Sequence, residues 1–234
     1  MNGEALREKV LEEMGGRFEL DHFELEIGGR TYSLATVTNV DDLLDELIQK
    51  GPGDQAFKDE QIPYWADLWH ASIGLTRWIE EGKVVVAGQK VLEIGCGLGL
   101  CGIAAAFQGA EVVLTDYLPD ALLLARYNWL LNHSIEPDCR LLDWRQPKVE
   151  WKSDILLASD VAYEERALHP LVNTFKTMTT QNGSIWLSEP GRKFAKPWIN
   201  QILDFGFNLT KYDTFVSYQG IDSQVGIYQL SPEP

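Results

Sequence analysis

The apolar positions of this chain change period several times, and each change marks an element. Residues 18–37 alternate: Phe23, Leu25 and Ile27 precede Gly28-Gly29, and Tyr32 and Leu34 follow it, which predicts a β-hairpin. The spacing then becomes helical over residues 40–48, behind Asn39 as a candidate cap. Residues 50–61 carry Gly51-Pro52-Gly53 among polar side chains, so a flexible, substrate-facing link is expected there. From residue 64 to residue 80, Trp65, Leu68, Trp69, Ile73, Leu75, Trp78 and Ile79 recur at helical intervals, interrupted by Gly74.

Strand-like and helix-like stretches then take turns. Strands are predicted at residues 91–94, 112–115, 140–142, 154–159 and 184–187, and helices at 101–108, 119–131, 168–178 and 196–205. That order implies a parallel α/β sheet with right-handed crossovers and helices on both faces. Two further strand-like stretches, residues 209–218 and 224–230, are joined by a polar turn and read as a closing antiparallel hairpin. Residues 1–16 are weakly helical and lack the apolar centre of a secretory signal. We expect an N-terminal extension, residues 1–60, on one catalytic domain, residues 61–234.

The most specific chemistry lies where the first core strand ends. Lys90-Val91-Leu92-Glu93-Ile94-Gly95-Cys96-Gly97-Leu98-Gly99-Leu100 delivers an acid into a triple-glycine turn that opens onto a helix. Glycine allows backbone angles and close ligand approaches that a Cβ would block, so this turn is read as a site for an adenosine-containing cofactor. Gly97-x-Gly99-x-x-Gly102 also satisfies the dinucleotide fingerprint, and Asp116, one βαβ step further on, suits a ribose in either case. Glu93 before the glycines, the acidic loop at Asp143-Trp144 and the closing hairpin favour S-adenosyl-L-methionine, which has no pyrophosphate for a helix N-terminus to hold. A turn that serves packing alone is the third reading.

Composition narrows the partners. The formal net charge of −15 and the lack of a basic cluster argue against nucleic acid. No apolar run approaches the length that spans a bilayer. Three cysteines, Cys96, Cys101 and Cys139, have no metal-ligand spacing, and four dispersed histidines add none, so no metal site and a reducing, cytoplasmic setting are expected. Cys96 and Cys101 are read as small packing residues of the glycine turn.

Taken together, Pro63-Tyr64-Trp65-Ala66-Asp67-Leu68-Trp69, the glycine run, Thr115-Asp116, Leu142-Asp143-Trp144 and Ser159-Asp160-Val161-Ala162-Tyr163 resemble the class I S-adenosyl-L-methionine-dependent methyltransferases, and more narrowly the family 16 protein-lysine methyltransferases. The resemblance covers residues 57–230 and implies a Rossmann-like seven-stranded methyltransferase sheet. It assigns Glu93, Gly95, Gly97 and Gly99 to the methionine part of the cofactor, Asp116 to the ribose and Asp143 to the adenine amino group. Trp69 and Trp144 become aromatic walls, although core packing also fits Trp69; His70 stands where relatives often carry proline. Asp160 and Tyr163 match the family's acidic-x-x-aromatic motif and are the expected catalytic pair. Ser188-Glu189-Pro190-Gly191-Arg192 is similar to an Asp-Pro-Gly-Arg stretch of related enzymes and is expected at the substrate entrance.

The implied activity is N-methylation of a lysine side chain in a protein. Methylation of a small amine is the rival, and a catalytically silent cofactor-binding module is a third possibility. A lid built by residues 18–61 would suit a metabolite, whereas an open acidic groove would suit a polypeptide. The oligomeric state is not legible.

Overall fold

The computed structural model describes residues 3–163, 165–191 and 202–233. The chain enters through α1 (Gly3–Met14), the hairpin β1 (Leu20–Ile27) and β2 (Arg30–Val37), and α2 (Val40–Lys50). Gly28 and Gly29 both have positive φ, 61° and 84°, as a two-residue hairpin turn requires. Asn39 precedes α2 but its side chain does not cap it. Its amide instead ties the hairpin ends, accepting from Glu19 N at 2.9 Å and donating to Arg17 O at 3.1 Å.

The expected flexible link is in part ordered as α3 (Gln55–Lys58), whose first turn is capped by Asp54 accepting from Ala56 N at 2.7 Å. A larger departure follows. Residues 64–80 do not form one helix: Tyr64–Ala66 is a single 3-10 turn, Asp67 is extended, and α4 runs only over His70–Glu80. Trp69 stands just before α4 with extended backbone, and its indole Nε1 donates to Tyr64 O at 2.8 Å. The aromatic periodicity of that stretch therefore mixes two elements. His70 occupies the first helical position, where proline fits a helix best, which accounts for the residue expected there in relatives. Gly74 does not interrupt α4; a Cβ there would lie 3.1 Å from Val225 Cγ1, so its smallness lets the helix rest on the C-terminal strands.

The remaining elements are β3 (Lys90–Ile94), α5 (Leu100–Phe107), β4 (Glu111–Asp116), α6 (Pro119–Asn132), β5 (Asp138–Leu141), β6 (Ser153–Ser159), α7 (Glu165–Met178), β7 (Thr179–Glu189), β8 (Phe207–Tyr218) and β9 (Ile221–Pro232). The expected helix at residues 196–205 lies mostly outside the described residues. The strands form one seven-stranded sheet in the order β5-β4-β3-β6-β7-β9-β8. Pairings from β5 through β7 are parallel, whereas β9 pairs antiparallel with β7 and β8. This is the α/β architecture with the closing hairpin that the alternating pattern predicts, with β9 inserted between β7 and β8.

Two apolar layers cover the sheet. Val91 belongs with α4, α5, α6 and the N-terminal hairpin, while Leu92 and Ile94 belong with α7 and the inner faces of β6, β7 and β9. The hairpin joins the first layer through β2. Asn128 and Asn132, one turn apart on α6, hydrogen-bond the backbone of Ala35 and Ser33 as a neighbouring strand would. Burial on nearly every side of α6 follows from this cover.

Gly102 shows how tightly α5 lies on the sheet. A Cβ there would sit 2.3 Å from Leu114 Cδ2 and 2.7 Å from Glu93 Oε2, both locked in the core. Alanine ordinarily favours a helix interior over glycine by about 0.5–1 kcal/mol, but overpacking of this kind costs about 1–3 kcal/mol. Gly102→Ala should therefore lower stability, read as a lower urea midpoint with unchanged slope; a raised midpoint would show that the layer is slack.

Candidate active site

A cavity of about 730 Å³ opens at the carboxyl edge of the sheet, beside the point where the chain, having built β4 and β5 on one side of β3, returns to place β6 on the other. Open α/β sheets bind ligands at such a switch point. The loops after β3, β4, β5 and β6 bring Gly95, Gly97, Asp116, Asp143, Trp144, Asp160 and Tyr163 to its walls, and the segment before α4 brings Tyr64 and Trp69. Eight of the ten residues expected at the site are thus gathered in one place.

Glu93 and Gly99 are the two exceptions. Strand alternation aims the Glu93 side chain away from the cavity, toward the face that α5 covers. Its carboxyl is 1% exposed, and Oε2 accepts from Gly102 N at 2.8 Å. Burial raises its pKa to about 8, so it is protonated at neutral pH. It supports the glycine loop from beneath, where the resemblance had placed it around the methionine. Gly99 is the residue before α5, left-handed at φ 78°, and its Cα faces Ala125 and Leu114.

The hydrogen bonds of the loop weigh against a dinucleotide. A pyrophosphate would need the bare N–H groups of the turn and of the helix start. Those of Cys96, Gly97, Gly99 and Gly102 are already given to Thr115 O, Asp116 Oδ2, Cys96 O and Glu93 Oε2. A phosphate in the cavity would also meet the nearly buried Asp116 carboxyl. A compound with cationic sulfur, hydroxyls and an amine fits this donor and acceptor set. Gly95, at φ 61°, is the close-approach point: a Cβ would fall 2.9 Å from Val161 Cγ1 and 3.3 Å from Trp144 Cζ2.

Asp116 is nearly buried, and it accepts from Gly97 N and Leu118 N at 3.1 Å each. Burial raises its pKa, opposed by those hydrogen bonds. Asp143 behaves oppositely: burial pushes it up, but the Arg145 guanidinium, 2.9 and 3.0 Å from its two oxygens, holds it below the ordinary carboxylate range. Trp144 Nε1 and Glu93 Oε1 are the two buried side-chain polar atoms of the described residues without a hydrogen-bond partner.

Also on the cavity wall, Asp160 follows β6 in a left-handed conformation, φ 55°, and its N–H donates to Ser188 O at 2.9 Å. Such a backbone costs a non-glycine residue about 1–3 kcal/mol, and positions of this kind concentrate at functional sites. Beyond it, Tyr64 packs edge-on against Tyr163 and Trp69, with ring centroids 5.4 and 6.2 Å apart. The three rings are 42%, 39% and 37% exposed, so they frame an open mouth. Trp69 is accordingly not a core residue.

Sequence reasoning missed several lining residues. Tyr64, Asp59, Tyr117, Arg145 and Arg166 all border the cavity. Their signal was weak: Tyr64 lies inside a quoted motif without a role assigned to it, and the other four lie outside the motifs. Ser188-Glu189, by contrast, turns away from the entrance. The Glu189 side chain is buried and accepts from Tyr228 OH at 3.1 Å and Gly191 N at 2.7 Å, and Ser188 Oγ donates to Ala71 O. Arg192 lies outside the described residues. Burial raises the thiols of Cys96 and Cys101 well above the ordinary range, so neither is a nucleophile. Among the described residues no group of three or more His, Cys, Asp and Glu is placed to hold a metal ion.

A family model described as lysine methyltransferase matches residues 57–202, more than half of the chain and the segment that builds this cavity. The chain belongs to that lysine methyltransferase family. Within it, the chain is 33% identical over 133 residues to the electron transfer flavoprotein beta subunit lysine methyltransferase of Danio rerio, covering 56% of this chain and 51% of that protein. It is 30% identical over 172 residues to EEF1A lysine methyltransferase 3 of Mus musculus, covering 70% and 71%. The chain therefore spans about half the length of the first relative. Among solved structures, the T. thermophilus 16S rRNA N2 G1207 methyltransferase RsmC in complex with AdoMet and guanosine superposes with a TM-score of 0.60 at 16% identity, over 92% of this chain and 51% of that one. That likeness shows the Rossmann-like methyltransferase fold. S-adenosyl-L-methionine is the cofactor of a methyltransferase of this family, and the donor set described above accommodates it. Among the described residues no helix is long and apolar enough to cross a membrane.

The buried Glu93 makes stability depend on pH. Its carboxyl ionises at its ordinary 4.5 in the unfolded chain and at about 8 in the folded one. Between those values the folded state keeps a proton that the unfolded state has lost, so this stabilisation is full below pH 4.5 and is lost as pH rises through 8. Glu93→Gln should remove that slope. From pH 5 to pH 8.5 its unfolding free energy should gain on the wild type by roughly 3 to 4 kcal/mol, because each tenfold change in a protonation equilibrium is worth about 1.4 kcal/mol. A constant difference across that range would mean that Glu93 is ionised in the fold.

Proposed function

We propose that this chain uses S-adenosyl-L-methionine to methylate a lysine side chain of a protein substrate. The observation that carries the reading is the meeting of these residues in one cavity: Gly95, Gly97, Asp116, Asp143 and Trp144, which we assign to the cofactor, and Asp160 with Tyr64, Trp69 and Tyr163, which we assign to the amine. Asp116 would accept from the ribose hydroxyls and Asp143 from the adenine amino group. Gly95 and Gly97 leave room for the methionine part, with Trp144 and Trp69 as aromatic walls. Glu93 and Gly99 hold the loop rather than touch the cofactor.

When bound, the cofactor supplies an electrophilic methyl group. The chain's own task is to present a neutral amine to it. Deprotonating a lysine of pKa about 10.4 at pH 7 costs roughly 4 to 5 kcal/mol. The aromatic mouth offsets part of this by stripping water from the ammonium, whereas the Asp160 carboxylate favours the charged form. Asp160 is therefore assigned to binding and aligning the incoming ammonium. Tyr163 shapes the channel and hydrogen-bonds the amine, and the proton leaves to water before transfer.

A polypeptide suits the mouth better than a metabolite. Of residues 18–61, the segment 59–61 lines the cavity, so the hairpin and α2 build no lid over it. The two relatives are named for lysine methylation of proteins, which supports the same reading. We place the protein in the cytoplasm, where its three cysteines would remain the unpaired thiols seen here. We retain residues 1–60 as an extension on a catalytic domain of residues 61–234, with its last residues contributing to the cavity wall.

The test is a cell extract incubated with tritiated cofactor, with the label mapped by mass spectrometry. Label on a protein lysine is expected; label confined to small molecules or to histidine would overturn the substrate assignment. Asp160→Asn, which keeps a side chain tolerant of the left-handed backbone, and Asp160→Ala should each lower turnover by about 100-fold or more, since misalignment alone has that effect. Calorimetry should find their cofactor affinity within about threefold of the wild type, the scatter of an uninvolved site. Lost cofactor binding would move Asp160 to the other half of the site.

A further inference from the structure

Residues 59–62 pass along the cavity as a strap between α3 and Tyr64, shaped by two successive three-residue turns, Ile62 N to Glu60 O at 2.6 Å and Tyr64 N to Ile62 O at 2.7 Å. Glu60 is left-handed at φ 48°. A segment under such backbone strain keeps its shape only if its surroundings hold it. Two arginines do so. Arg166, at the start of α7, donates to the carbonyls of Lys58 and Asp59 at 3.0 Å each. Arg145 reaches the strap from the loop after β5, donating from its two terminal nitrogens to the two oxygens of Asp59 at 3.1 and 3.2 Å.

Arg145 is occupied on its other side as well. Its Nε reaches both oxygens of Asp143, its backbone N–H donates to Asp143 Oδ1 at 2.9 Å, and one terminal nitrogen also donates to Tyr117 OH at 2.8 Å. Tyr117 OH in turn donates to Asp59 at 2.8 Å. A single planar cation thus joins the adenine-side carboxylate, the residue after Asp116, and the strap.

We infer that Arg145 is a positioning residue for the cofactor: by bridging Asp143 to Asp59 it fixes the direction of the Asp143 carboxylate and holds the strap as a wall of the cavity. The inference rests on the assignment of the cofactor to this cavity. An isolated exposed ion pair contributes little, but bidentate geometry and a shared network are the conditions under which such pairs matter. The Asp59 side chain is only 14% exposed, and the Arg145 fork satisfies it without leaving Asp143. An ammonium is a point donor and cannot reproduce that fork. Without Arg145, Asp59 and Asp143 would repel one another, as the upward push of Asp59 on Asp143 already indicates. The strap would then leave the wall.

The test uses calorimetric affinity for S-adenosyl-L-homocysteine, which lacks the sulfonium charge but keeps its amino-acid charges, so the salt dependence that the wild type shows beyond Arg145→Gln reports the Arg145 ion pairs. Arg145→Gln should weaken binding by roughly tenfold, the effect of losing one charged, bidentate contact. Arg145→Lys should recover only part of it. Raising the salt should weaken the wild type toward the variant, and the Arg145→Gln affinity should barely change. Asp59→Asn should weaken the wild type yet improve Arg145→Gln, because it relieves the repulsion that the first change exposes. Unchanged affinity in Arg145→Gln, full recovery in Arg145→Lys, or simple additivity with Asp59→Asn would each overturn the bridge. Thermal unfolding of each variant separates lost binding from lost fold, and Asp59→Asn alone carries the test should Arg145→Gln not fold. A wild type that fails to bind S-adenosyl-L-homocysteine would instead sink the cofactor assignment itself.

Discussion

The loop between β3 and α5 can turn tightly because carboxyl groups of the protein take amide hydrogens that the turn exposes. Asp116 accepts from Gly97, and Glu93 accepts from Gly102 one turn into the helix. Both acids are withdrawn from water, and the cost appears as raised pKa values, greatest for the fully enclosed Glu93. The glycines supply left-handed angles and the absence of side chains, while the acids supply partners for N–H groups that no longer face solvent. The same hydrogen bonds that stabilise the turn take up several of the N–H groups a phosphate would use, and Asp116 still faces the cavity.

Around this turn the site divides by strand. The ends of β3, β4 and β5 line the cavity with glycines, carboxylates and one indole, and the end of β6 lines it with Asp160 and Tyr163. Asp160 is held left-handed by the β6–β7 edge, through Ser188 O, and so belongs to the sheet as much as to the loop. The position of Asp160 is thus set by strand pairing. The strap is less anchored in the core, and Arg145 and Arg166 hold it by charge and carbonyl contacts.

The relation of the N-terminal hairpin and α1 to the site is indirect. They cover α6, through apolar contacts and the paired amides of Asn128 and Asn132. By holding α6, whose start follows Asp116, the hairpin and α1 steady one side of the cavity without entering it. Arg30, Tyr32 and Gln108 converge on the buried Glu80 and tie the hairpin to α4 and α5. Packing of this kind requires a particular arrangement of residues distant in sequence, and no local pattern announces it.

Local information determined much of this protein. The alternation of periods was sufficient for the order of most strands and helices, the glycine run for the turn after β3, and the acidic residues at the ends of β4, β5 and β6 for three carboxylates of the cavity wall. These signals are legible because strand and helix impose short, regular repeats and because glycine marks backbone angles other residues avoid. Tertiary structure decided the rest. It set Glu93 beneath the loop rather than in the cavity, since which face of β3 receives α5 is a matter of packing. It broke the stretch from Tyr64 to Glu80 into a turn and a helix, placing Tyr64 and Trp69 at the mouth, and it turned Glu189 toward Tyr228. It also brought Asp59, Arg145 and Arg166 together from separate segments, because charges distant along the chain meet only where the folded sheet edge gathers their loops.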